Sequence, residues 1–330
     1  MIEDRFVDGE QRKDVVLDAV PSQANRAEEA LLRARREGRV QMPLMEIRHD
    51  GEAHVVLTSL EFPHRFADAY LRDSQLSGKP FDKSEMGQSM LAATLEDASA
   101  LFEHDPGSLV FGAWNSHRKG RQQKFPRVYA SEVVGWDPVT GLRNAGRLDP
   151  LNLVGAAKRD GSGDWEYAPA GEKVKGEKLS EIGHGHVAPN PQHGGVTISS
   201  ATRMATVSLA GLDRIGFGGA SREAAVAGRA ALAAYALLAD RLAFGGPSLW
   251  LRSGCELVLL EERLEWVGRG GVTEPFELSP QGAVELFALA VERAAKEGLP
   301  MSTETVELVP SPSLAKAIDF ALTKAESAGD

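Results

Sequence analysis

Apolar positions fall into short runs and helical repeats that divide the chain readily. Val15, Val16 and Leu17 predict a strand. From Pro21 and Ser22 to about Arg36, Ala27, Ala30, Leu31 and Leu32 share a side, the spacing of a helix. Residues 42–47 and 53–57 flank His49-Asp50-Gly51, a turn signal that suits a strand pair. The strand at 55–57 then runs into a helix from Pro63 to about residue 74, with proline where a first helical residue tolerates losing its N–H. Phe66, Ala67, Ala69 and Tyr70 face a core there, and His64, Arg65, Asp68 and Arg72 lie opposite, with Glu61/Arg65 and Asp68/Arg72 spaced as i,i+4 ion pairs. Met90, Leu91, Leu95 and Leu101 predict a helix over 84–101, and 109–113 reads as a buried strand. Residues 116–126 have no apolar period and form a solvated loop or hairpin before a strand at 128–134.

The stretch 137–195 is rich in Gly, Pro, Asp and Lys with few apolar anchors, the signature of an extended insertion. Beyond it come a strand or strand pair over 196–209, an alanine-rich helix at 221–244, strands at 255–260 and 264–267, a long helix at 280–297 and a short fraying helix at 310–330. This order predicts an α+β fold with an antiparallel sheet, in three stretches: 1–136, 137–195 and 196–330. No internal repeat is evident.

Composition narrows the function. The chain has 330 residues, 42% of them hydrophobic, enough for one large or two modest domains. No apolar run is long enough to cross a bilayer, and the opening MIEDRFVDGEQRKD is charged where a signal peptide is apolar, so cytoplasmic residence is expected. Cys255 is the single cysteine, which excludes an internal disulfide and a thiolate zinc cage, and Leu257 to Leu260 beside it predict a buried strand thiol. A net charge of −10 argues against indiscriminate attraction to nucleic acid. Yet residues 106–131 contain no Asp or Glu while holding Arg118, Lys119, Arg121, Lys124 and Arg127, a local basic field.

Several clusters invite chemistry. Gln23, Asn25 and Arg26 lie near a helix N-terminus, where amide protons favour phosphate, although capping by Ser22 beside a surface arginine explains them as well. Trp114, Asn115, Ser116 and His117 end a strand just before the basic loop; Trp114 continues an apolar run and is expected in the core, which leaves the loop as the stronger RNA candidate. His184, His186 and His193, with Glu181, are too poorly scaffolded for zinc and fit loop histidines near nucleic acid, so no metal is expected. Gly216, Gly218 and Gly219 lack the rest of a phosphate-binding fingerprint and read as a flexible loop and helix cap before the helix that starts at Ser221. No G-x-S-x-G elbow occurs, Ser253-Gly254-Cys255 has no spacing that pairs it with a base, and no cofactor is expected.

Eight strings occur in fixed order: PSQANRAEEALL (21–32), TSLEFPHRFADAYLRDS (58–74), SLVFGAWNS (108–116), RVYASEVVG (127–135), RLDPLNL (147–153), GHGHVAP (183–189), GGVTI (194–198) and LRSGCELVL (251–259). Together they resemble the backbone subunit, of the Cas-seven type in the RAMP superfamily, of type I-G (formerly I-U) CRISPR interference complexes. The resemblance implies an RRM-like (ferredoxin-like) palm with long thumb and finger insertions, the thumb within 137–195. It implies a non-catalytic protein that polymerises along the spacer of a CRISPR RNA, leaving the bases to pair with a target DNA strand. Its partners would be crRNA, copies of itself, a large scaffold subunit, an RNA-processing subunit and a helicase-nuclease, with no membrane. RNA contacts would include His64, Arg65, Arg72, His184, His186 and Arg203 besides the residues above. Relatives usually carry more sequence before the PSQANR helix, including a first palm strand. Here twenty residues precede Pro21, so either Val15 to Leu17 takes that role or the start is shortened. Two rival readings are a metal-dependent RNA nuclease using Asp73, Asp137 or Asp149, and a scaffold without nucleic-acid contact.

Overall fold

The computed structural model describes residues 2–51, 54–115, 123–142, 145–147, 150–151, 153–159, 165–169, 176–179, 181–182, 184, 187–190, 194–251 and 254–329. Strand β1 (Ile2–Val7) pairs antiparallel with β2 (Glu10–Asp18), from Ile2↔Val15 to Val7↔Glu10. Their turn, Asp8-Gly9, has positive φ at both residues, as the tight hairpins that match strand twist require. Helix α1 (Val20–Arg36) follows with Ala19, not Ser22, at its N-cap, and Pro21 falls in the first turn. Strands β3 (Leu44–Asp50) and β4 (His54–Thr58) form the expected pair.

The helix expected from Pro63 is broken. A 3-10 turn at Arg65–Ala67 and the one-turn α2 (Ala69–Arg72) replace it. The cause is Asp68, whose carboxylate accepts hydrogen bonds from the backbone N–H groups of His64 and Tyr70, together with Arg65 at φ 53°. Neither expected i,i+4 pair forms: Glu61 accepts from Thr58, Arg65 binds Glu28, and Arg72 binds Asp73. Leu71 fills the core, while Tyr70 is exposed.

Strands β5 (Ser74–Leu76) and β6 (Lys79–Pro80) come next. The helix expected over 84–101 is two, α3 (Glu85–Ala92) and α4 (Ser99–His104). The buried strand expected at 109–113 is helical as far as Val110. Asp105 caps α5 (Pro106–Val110), accepting from the N–H and hydroxyl of Ser108, and Pro106 occupies the first turn. A short apolar run suits a buried strand or a buried helix equally, and the cap decides. Strands β7 (Ala113–Asn115) and β8 (Gln123–Phe125) form a hairpin, then β9 (Tyr129–Trp136) begins.

The insertion holds seven short strands among the described residues: β10 (Val139–Leu142), β11 (Ala145–Arg147), β12 (Ala156–Arg159), β13 (Trp165–Ala168), β14 (Glu177–Lys178), β15 (Val187–Asn190) and β16 (Gly194–Thr197). They pair as β10–β16, β11–β15 and the sheet β13–β12–β14. After β17 (Ser200–Val207) come α6 (Leu209–Asp213) and α7 (Arg222–Phe244), the expected alanine-rich helix, with Ser221 as its N-cap. Strands β18 (Ser248–Leu251), β19 (Cys255–Val258), β20 (Glu265–Val267) and β21 (Thr273–Pro275) form two hairpins. Cys255 is exposed rather than buried. Helix α8 (Pro280–Lys296), β22 (Thr305–Pro310) and α9 (Pro312–Gly329) complete the chain; α9 has 18 residues, longer than the short tail expected.

The fold is α+β. One sheet has the order β1-β2-β9-β17 and a second the order β4-β3-β22-β5-β6, antiparallel except that β22 runs parallel to β3. The chain divides into two compact units, residues 1–16, 134–202 and 321–330 in one, and 17–133 and 203–320 in the other. In the first, Arg12 lies 4.9 Å over the Trp136 ring and bridges Asp137 at 2.9 Å. In the second, the core joins Ala27, Leu31 and Ala34 of α1, Leu232, Tyr235 and Leu238 of α7, and Phe287 of α8. Each such large side chain stabilises the fold by roughly 1.5–3 kcal/mol through burial. Among the described residues no helix is long and apolar enough to cross a membrane.

Candidate nucleic-acid interface

In the second unit, the broken Pro63 helix and the β7–β8 hairpin wall a groove of about 740 Å³. Its lining includes His64, Arg65, Arg72, Trp114, Lys124 and Arg127, and no Asp or Glu. A smaller hollow of about 170 Å³ shares Arg65 and Arg127 and adds Asn25 and Tyr129. Residues far apart in sequence, Asn25, the 63–72 turns and the 111–127 hairpin, are thereby brought together around one cationic surface.

The cations differ in how committed they are. Arg65 has a half-buried guanidinium that grips Glu28 with two hydrogen bonds, Nε to Oε1 at 2.7 Å and Nη2 to Oε2 at 2.9 Å. It also donates to the Gly112 carbonyl at 2.8 Å and lies 5.4 Å over the Phe111 ring. Burial pushes the Glu28 carboxyl up to about 7, outweighing the attraction of Arg65, and burial also raises Asp105 nearby. Arg72 is exposed and paired with Asp73 at 2.8 Å; that hydrogen bond holds Asp73 below the usual carboxylate range. Lys124 and Arg127 are exposed and have no carboxylate partner among the described residues. They and His64 are the groove's uncommitted donors.

Trp114 overturns its expected place in the core. Strand β7 has a two-residue period, so Ala113 packs inward while Trp114 points out, 55% exposed, with Lys124 Nζ 5.8 Å from its ring centroid. Asn115 is half-buried and donates weakly to Gln123 at 3.4 Å. The hairpin is aimed by Gly112, whose φ of 83° and close approach leave no room for a side chain: an added Cβ would lie 2.9 Å from the Arg127 nitrogen.

Two further candidates are internal. Gln23 is fully buried, bound to Asp18 and accepting from Ser131 Oγ at 2.6 Å and Arg203 Nε at 3.0 Å. Arg203 also binds Tyr129 and Asp240 and lies 3.7 Å over the Phe244 ring, so its charge is spent inside the fold. Burial raises the Tyr129 hydroxyl well above its ordinary value, so it stays a neutral donor to Asp240 at 2.8 Å. Arg26 is half-buried on Asp18 at 2.8 Å and the Trp250 carbonyl at 3.1 Å. His184 is exposed, its ring 5.8 Å from Trp165. Ser116, His117, Arg118, Lys119, Arg121, His186 and His193 lie outside the described residues. Nothing in the spacing of residues 18, 23, 131, 203 and 240 announces their network, because distant segments supply it.

Among the described residues no three His, Cys, Asp or Glu side chains are grouped to hold a metal ion. Asp73 is tied to Arg72, and Asp137 to Arg12 and Ser199; Asp149 lies outside the described residues. Gly216 and Gly218 pack against Glu96 and Asp97, where an added Cβ would meet the Glu96 carbonyl at 2.5 Å and the Asp97 carboxylate at 2.7 Å, so close approach accounts for both glycines.

An acid-free cationic groove with a protruding indole is the kind of surface that suits single-stranded nucleic acid, which offers phosphates and flat bases together. Comparison with known proteins gives a narrower placement. Residues 1–139 match the family model described as CRISPR-associated protein GSU0053 (Cas_GSU0053), and the match marks a CRISPR-associated protein. The whole groove lies inside the matched span. No curated protein matches the chain.

Proposed function

We propose that this chain is a non-catalytic backbone subunit of a type I CRISPR effector. It binds guide RNA through the groove and assembles in several copies along the spacer, so that base pairing selects the target DNA. The observation that carries this reading is the groove itself: on a chain of net charge −10, its lining includes His64, Arg65, Arg72, Lys124 and Arg127 and excludes every carboxylate. Such a surface concentrates attraction for a polyanion in one path and leaves the rest of the acidic molecule repellent to stray nucleic acid. The sheet β1-β2-β9-β17 would serve as the RRM-like palm and the 137–195 insertion as the thumb. The large scaffold subunit, the RNA-processing subunit and the helicase-nuclease would complete a cytoplasmic complex.

Salt titration of RNA binding tests it. Every phosphate of a single strand that the protein no longer neutralises lowers the magnitude of the log K versus log salt slope by about 0.7, so Lys124→Ala with Arg127→Ala should lower it by about 1.4, on polyuridine and on mixed sequence alike. An unchanged slope would move the RNA path elsewhere. RNA cleavage by the purified chain that magnesium supports and EDTA abolishes would instead favour a nuclease.

A further inference from the structure

Trp114 is unexplained by the packing of the chain. Its strand neighbours Ala113 and Asn115 are buried and half-buried, yet Trp114 stands 55% exposed, where a tryptophan is on average highly buried. Its cross-strand partner is Lys124, and the groove beside it carries His64 and Arg127, no acidic residue in its lining, and Arg72, which is already held by Asp73. The cations call for an anion. The ring calls for a flat apolar surface within reach of that anion, and a nucleotide supplies both.

We infer that Trp114 stacks on an unpaired nucleobase of single-stranded RNA whose neighbouring phosphates lie on Lys124 and Arg127. The inference rests on the RNA-binding reading above and deepens it, since it adds a contact to base rather than to backbone. Every base has a π-face, so this contact grips without reading sequence.

The test compares oligoadenylate with an abasic oligomer of equal length, binding to wild type, Trp114→Ala and Trp114→Phe by fluorescence anisotropy. Trp114→Ala should weaken oligoadenylate binding by about 5- to 150-fold, the range for removal of one base–aromatic stack, while leaving abasic binding and the salt slope unchanged. Trp114→Phe should recover most of that affinity. A 2-aminopurine-labelled oligomer should also lose fluorescence on binding wild type, a readout that needs no variant to fold. Equal oligoadenylate affinity of wild type and Trp114→Ala, or no 2-aminopurine quenching in the bound complex, overturns the stacking contact while the phosphate contacts stand. Failure of wild type to bind either oligomer overturns the RNA-binding reading and this inference with it.

Discussion

Glu28 shows how one buried carboxyl ties stability to pH. Its native value is about 7 against an ordinary 4.5, so the folded state holds the proton more tightly than the unfolded one. That contribution is fully present below about 4.5 and is lost as pH rises through about 7. Glu28→Gln should therefore remove part of the wild type's pH dependence: between pH 5 and pH 8, urea midpoints should show the wild type losing about 2–3 kcal/mol relative to the variant. Parallel curves would mean that Arg65 keeps Glu28 ionised throughout. Residue identities were legible where a side chain's fate depends on its own segment. Lys124 and Arg127 sit in an acid-free stretch and emerge on the groove, and Asn25 joins the hollow beside it. Gln23 and Arg203 were illegible because Asp18, Ser131 and Asp240, which bury them, come from elsewhere in the chain. Trp114 was misjudged for a more local reason: the run before it is helical, so its direction is set afresh by the hairpin.

Elements with a strong period and a clear cap were read well, since α7 starts after Ser221 and α8 after Ser279, each side chain accepting an N–H in the first turn. The Pro63 segment failed because Asp68 bends it, an interaction that propensity does not register. That bend and the hairpin together make the groove, so its geometry depends on the turn at Gly112. Gly112→Ala would put a Cβ 2.9 Å from the Arg127 nitrogen and 3.1 Å from the Phe125 carbonyl at a φ of 83°. Neither neighbour can yield as a side chain would. The substitution should cost at least ~1 kcal/mol of stability and weaken RNA binding as the hairpin shifts. A normal melting temperature with normal binding would show that the hairpin is not anchored there.

At the scale of the molecule, a cationic groove on an acidic chain predicts that RNA, not protein concentration alone, drives assembly, because each bound copy raises the local concentration of the next. Light scattering with RNAs of increasing length should give mass rising in steps, and a mass that ignores RNA length would contradict it. The sheet order β4-β3-β22-β5-β6 has a separate consequence for synthesis on the ribosome. The strand that fills its middle, Thr305–Pro310, pairs with Leu44–Asp50 and Ser74–Leu76 but is made more than two hundred residues after both. At 5–20 residues per second, roughly 10–45 s pass between completion of Leu76 and arrival of Thr305. Throughout that interval two nascent strand edges stand open to other chains, so premature termination before Thr305 would release a sticky fragment rather than a smaller domain.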